Sequence, residues 1–167
     1  DSNGVRLKGV FDLIPYGEDW RRAGEYLKQV MGDIGIQLEL RYEDVPTWLK
    51  RIYHRYDFEM NLNYFYQLPD PVLGVHRHYG TDQIRKGTHF VNSSRYSNPK
   101  LDALLDSGAG EPNATKRTAA YKEIQQILAN DMPVVNLFEL EFLVVYNTKL
   151  KGAYGSAMGA YGSFREA

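Results

Sequence analysis

No cysteine occurs among the 167 residues, which excludes disulfide frameworks, thiol nucleophiles and cysteine metal sites while fitting cytoplasm and periplasm equally well. No apolar run approaches the roughly 20 residues that a bilayer-spanning helix needs. Charge of one sign is not in excess either. Twenty basic residues against 21 acidic ones leave a net charge of −1, so there is no electrostatic footprint for an anionic membrane, and no nucleic-acid partner is expected. The motifs of nucleotide and acyl-transfer chemistry are missing as well: there is no Gly-x-Gly-x-x-Gly turn, no Walker lysine and no Gly-x-Ser-x-Gly elbow. Gly155-Ser156 and Gly162-Ser163 come nearest to the elbow and complete nothing, and Glu139 and Glu141 read as solvated charge near a hairpin tip. No catalytic set and no cofactor are therefore expected. The chain opens Asp1-Ser2-Asn3-Gly4, without an initiator methionine or a signal peptide, and reads as an excised piece or a processed chain.

What is present is globular. A hydrophobic content of 43% and a length of 167 residues suit a single domain, 1–167, able to bury a core. Thirteen tyrosines are a high share, and tyrosine pairs a large apolar face with a polar tip suited to binding surfaces.

The chain is organised around Asp57 to Pro71. Phe58, Met60, Leu62, Tyr64 and Tyr66 alternate as on one face of a strand, and Pro69 and Pro71 stop it. Tyr64, Phe65, Tyr66, Gln67 and Asp70 gather where that strand leaves its sheet, which is where open α/β sheets bind ligands. Upstream, Val5 to Phe11 reads as a strand. A helix follows from Asp19, with Trp20, Ala23, Leu27, Val30, Met31 and Ile34 at inward spacing. Ile36, Leu38, Leu40 and Tyr42 form a second strand, and Asp44-x-Pro46 starts a second helix. Alternating strands and helices over some 65 residues are the mark of βαβ units. Downstream, Ser97 or Asn98 ahead of Pro99, and Asn113, start two more helices. Val134 to Phe138 and Phe142 to Tyr146 read as paired buried strands, and 152–167 as an irregular tail.

Three smaller features remain. His76-Arg77-His78 would turn both imidazoles to one side on a strand, but His54 and His89 stand apart in the sequence and no metal site is expected. Lys116-Arg117 reads as surface. Asn92, with Tyr96, is a candidate to hydrogen-bond an extended ligand.

Taken in order, Asp57-Phe58-x-Met60, the aromatic stretch, Asp70-Pro71 and Tyr96-Ser97-Asn98-Pro99-x-x-Asp102-x-Leu104-Leu105 resemble the C-terminal lobe of the peptide/nickel family (family 5) of solute-binding proteins that serve ABC importers. Ile34-Gly35-Ile36, Lys116-Arg117 and Asp131-x-Pro133-Val134-Val135 extend the resemblance over nearly the whole chain. It implies an α/β fold with a mixed sheet flanked by helices, one lobe of a type II periplasmic binding protein whose N-terminal lobe is absent. It further implies a monomeric bacterial protein, periplasmic or membrane-tethered outside the cytoplasm, that carries oligopeptides or related solutes to permease subunits. In a bacterial setting the glycosylation patterns at Asn92 and Asn113 carry no meaning. In the family's dipeptide binders an aspartate three residues before the Asp-Pro pairs with the ligand's α-amino group, and Gln67 stands there. In its nickel-chelate binders an aromatic lies five before that aspartate, which is Phe65. The ligand-binding candidates are thus Tyr64, Phe65, Tyr66, Gln67 and Asn92. A small α/β enzyme and the solute-sensing lobe of a cytoplasmic regulator are the alternatives.

Overall fold

Apolar residues spaced for burial on both faces put Leu7–Leu13 at the centre of a small sheet in the computed structural model, which describes residues 7–141, 145–147 and 149. Two compact units emerge, 1–66 with 77–97 and 67–76 with 98 onward.

In the first unit the order is β1 (Leu7–Leu13), α1 (Glu18–Asp33), β2 (Ile36–Arg41), α2 (Val45–Leu49) and β3 (Met60–Leu62). The strands lie β2-β1-β3, and both pairings are parallel. Burial rises along β1, from Leu7 at 55% exposure to Leu13 at 2%, because its C-terminal half is covered on both faces. Gly17, at φ 114°, makes the turn from β1 into α1, a conformation that a side chain would strain. Trp20 and Gly24 are the buried points of α1, and a methyl at Gly24 would overlap the Leu13 side chain. Asp44 caps α2 by accepting from the Thr47 N–H at 2.8 Å, and Pro46 sits in its first turn, as the sequence indicates. α2 widens into a π turn, Lys50–Arg55, ended by Tyr56 at φ 53°. Trp48, Ile52 and Tyr53 from this segment join Phe11, Leu13, Ile14, Leu38, Leu62 and Val91 in one core. Each such side chain contributes on the order of 2 kcal/mol by burial.

Asp12 is the exception in that core, at 1% exposure. Arg41 donates to its Oδ1 at 3.3 Å and the Arg51 guanidinium lies 3.7 Å away. Arg51 is itself held by Glu43 at 2.6 Å and by Asp57. Among the described residues nothing donates to Asp12 Oδ2. Burial outweighs both arginines and pushes the carboxyl up to about 6.

In the second unit, α4 (Pro99–Gly110) packs on α5 (Ala114–Asp131) around Leu101, Leu105 and Ile124; α3 is the short turn Arg77–Tyr79 of the first unit. Both helix starts form, with Asn98, not Ser97, as the first cap: Asn98 accepts from the Lys100 and Leu101 N–H groups, and Asn113 from Lys116.

Several expectations change. Ile34, read as inward, lies one residue past the end of α1 and is exposed. The strand read from Asp57 to Tyr66 shrinks to Met60–Leu62, because β1 has partner groups for only three of its residues. Residues 132–141 form no strand: they have no ladder partner among the described residues, and Val135, Leu137, Phe138 and Leu140 are exposed. The described sheet is accordingly wholly parallel, since the pair at 134–146 would have supplied the antiparallel part of a mixed one. Residues 142–144, the tail 152–167 and Val5 lie outside the described residues. Arg117 is not bare surface either. It bridges the Asp70 carboxylate at 2.7 Å and the Gly108 carbonyl at 3.1 Å.

Candidate functional site

A parallel sheet ordered β2-β1-β3 sends its chain to opposite sides of β1, so the crevice at the C-terminal ends of β1 and β3 is its topological switch point. The residues leaving β1 there are Ile14 to Gly17, and those leaving β3 are Asn63 to Tyr66. The Ile14 N–H donates to the Leu62 carbonyl at 3.0 Å, which extends the pairing one step past the sheet and holds the two exits together.

Aromatic rings fill that place. Tyr64 is half-buried against the core, with its ring 5.8 Å from Tyr16, 5.5 Å from Trp20 and 6.4 Å from Tyr66, mostly edge to face. Tyr16 and Tyr66 are 40% and 44% exposed, so the cluster has a buried root and an open rim. The sequence reading places Tyr64 and Tyr66 here and gives Trp20 to the helix core. The missed signal was Pro15-Tyr16-Gly17, an aromatic at the exit of the central strand.

Phe65 points elsewhere in the same unit, its ring centroid 3.7 Å from that of His78. His78 is 4% exposed, and burial, with a smaller push from Arg77, holds its imidazole down to about 4, so it is neutral at pH 7. His76 and His78 lie on helical turns, not on a strand, so the alternation that would face both toward one metal does not apply. Among the described residues no group of three or more metal-ligating side chains assembles.

Asn63 ties this segment to the core. Its amide donates to the Tyr53 hydroxyl at 2.7 Å and accepts from the Tyr64 N–H at 2.8 Å. Burial pushes the Tyr53 hydroxyl up to about 12. Asn92 is 1% exposed and spends its side chain within its own loop. It donates to the Gly80 and Tyr96 carbonyls at 3.0 and 2.9 Å and accepts from the Ser94 hydroxyl at 3.0 Å.

No family model matches the chain. Over 135 residues it is 29% identical to the probable D,D-dipeptide-binding periplasmic protein DdpA of Escherichia coli (strain K12), covering 80% of this chain and 25% of that one. Its structure superposes on the ABC transporter substrate-binding protein CtaP from Listeria monocytogenes with a TM-score of 0.63 and 28% identity, over 74% of this chain and 24% of that one. A mannohexaose-bound periplasmic oligopeptide-binding protein of an ABC transporter from Thermotoga maritima matches with a TM-score of 0.69 and 23% identity, over 80% and 25%. The fold is that of the type II periplasmic binding proteins. The resemblance to the peptide/nickel family of ABC-importer solute-binding proteins is met by these relatives, and the chain spans about a quarter of their length.

The Asp-Pro of that family's motif has a structural task here, carried out wholly within the second unit. Asp70 accepts from the Val72 N–H at 2.9 Å, capping the helical turn that follows, and pairs with Arg117. The Val72 bond first and Arg117 second lower its carboxyl from the ordinary range. Gln67, the residue at the family's aspartate position, is exposed and lies over buried Gly74, where even a methyl would collide with its amide.

Proposed function

We propose that this chain is most of the C-terminal lobe, residues 1–167 as one domain, of a two-lobe solute-binding protein that captures oligopeptides or related solutes outside the cytoplasm for an ABC importer. The observation that carries this is the aromatic cluster at the switch point of a sheet whose relatives include periplasmic and ABC-transporter binding proteins. Tyr66 and Tyr16 offer flat apolar area with hydroxyl tips, which suits ligands whose side chains vary. Tyr64 backs them, Phe65 packs on His78 and so holds the segment between, and the next residue along, Gln67, supplies a neutral hydrogen-bonding amide. A glutamine accepts from an ammonium without pairing its charge, so this lobe is better suited to peptides held along their backbone than to a dipeptide gripped by its amine. Asn92 acts indirectly, by setting the loop that carries Tyr96. The remaining contacts come from an N-terminal lobe outside this chain, and the lobes close by hinge motion on the solute before permease subunits receive it. The binding event involves no catalysis, cofactor, metal or nucleic acid, and the protein works as a periplasmic or tethered monomer.

The test is a thermal-shift screen of peptides, amino acids and nickel chelates on the full-length parent and on this chain, since a ligand that binds the native state raises its Tm by mass action. Tm is expected to rise with peptides in the parent alone. Submicromolar peptide binding by the isolated chain, or turnover of simple ester or peptide substrates, would overturn the proposal.

A further inference from the structure

His54 and His89, far apart in sequence, meet in the folded first unit. Their Nε2 atoms are 3.1 Å apart and their ring centroids 5.3 Å apart, and both residues are exposed. The pairing is built by the backbone. His54 lies in the π turn Lys50–Arg55, and the Gly87 N–H donates to the carbonyl of its neighbour Tyr53 at 2.8 Å, pinning the loop that carries His89. Gly87 holds φ 89°, and the His89 ring rests 5.8 Å from that of Tyr53. Neither histidine belongs to the aromatic cluster.

A first-row ion binds imidazole nitrogen at roughly 2.0–2.1 Å. The rings now meet nearly head on; once these exposed side chains turn their lone pairs to a shared ion, two nitrogens at the observed 3.1 Å subtend about 98° there, between the right angle of square-planar or octahedral sites and the tetrahedral angle. We propose that His54 and His89 form a bidentate surface site for a divalent transition ion, with copper(II) bound more tightly than nickel(II) or zinc(II) and water in the open positions. Without metal, the same separation suits one Nε2–H donating to the other ring's lone pair. The ion needs both lone pairs, so the donor ring moves its proton to Nδ1 through water.

Copper(II) titration of the chain, followed by calorimetry and by electron paramagnetic resonance with nitrogen hyperfine analysis, tests this. One equivalent bound through two imidazole nitrogens is expected. His54→Gln and His89→Gln should each weaken binding at least tenfold, while His76→Gln leaves it unchanged. Wild-type affinity in either single variant would overturn the site. Should a variant lose its far-ultraviolet circular dichroism, the wild-type spectrum decides: one coordinated imidazole, or none, refutes the proposal.

Discussion

Buried ionisable residues set the chain's response to pH. The Asp12 carboxyl is raised from 3.8 to about 6 in the folded state, so folding binds a proton. Its stabilising contribution is fullest below about pH 4 and is lost as pH rises through about 6, a swing of up to ~3 kcal/mol. His78 runs the other way: its folded value is lowered from 6.5 to about 4, so its contribution is present above 6.5 and lost as pH falls toward 4. The two slopes oppose each other over nearly the same interval. Urea midpoints should therefore vary little between pH 4.5 and 6.5 in the wild type. Asp12→Asn should expose an acid-labile protein and His78→Phe an acid-stabilised one. At the aromatic cluster, Tyr64→Ala should cost about 2 kcal/mol of stability, whereas Tyr66→Ala should leave Tm within about 1 °C and reduce the parent's peptide-induced shift. Asn92→Ala, which strands two carbonyls and a hydroxyl, should cost about 3 kcal/mol, read by thermal unfolding.

Among the elements, helices were the most legible in the sequence. Asp44, Asn98 and Asn113 announced their helices because an Asx side chain followed by orphan N–H groups is a local signal that tertiary contacts need not supply. Strands were legible only as far as partners existed. Phe58 to Tyr66 alternates like one long strand, yet a ladder forms only at Met60–Leu62, where β1 is in reach. The run at 134–138 has strand composition yet forms no strand. The histidine pair was invisible because it depends on a meeting of distant segments, whereas Tyr16 had a local signal in Pro15-Tyr16-Gly17 at the exit of the central strand. Two substitutions probe the local logic. Met132 ends α5 in the left-handed region at φ 42° with its side chain exposed, so Met132→Gly should raise stability by about 0.5–1 kcal/mol in chemical denaturation. Gly24→Ala favours the helix by about 1 kcal/mol in isolation. It should nevertheless lower Tm, because the new methyl meets Leu13 on the central strand.

At the scale of the whole molecule, the cluster of tyrosines hangs from the least-held part of the sheet. β1 and β2 share a register of six residue pairs, while β1 and β3 share three, ending at Leu13 opposite Leu62. A short parallel pairing across some 50 residues of chain forms late in folding and opens early, since the loop must close before any contact rewards it. The amides of Met60 to Leu62 should then exchange with deuterium well ahead of those of Val10 to Leu13 in the ligand-free parent. A peptide seated on Tyr66 would clamp the exit of β3 and slow that exchange. The strand beneath the site would thereby report occupancy as a change in its opening rate.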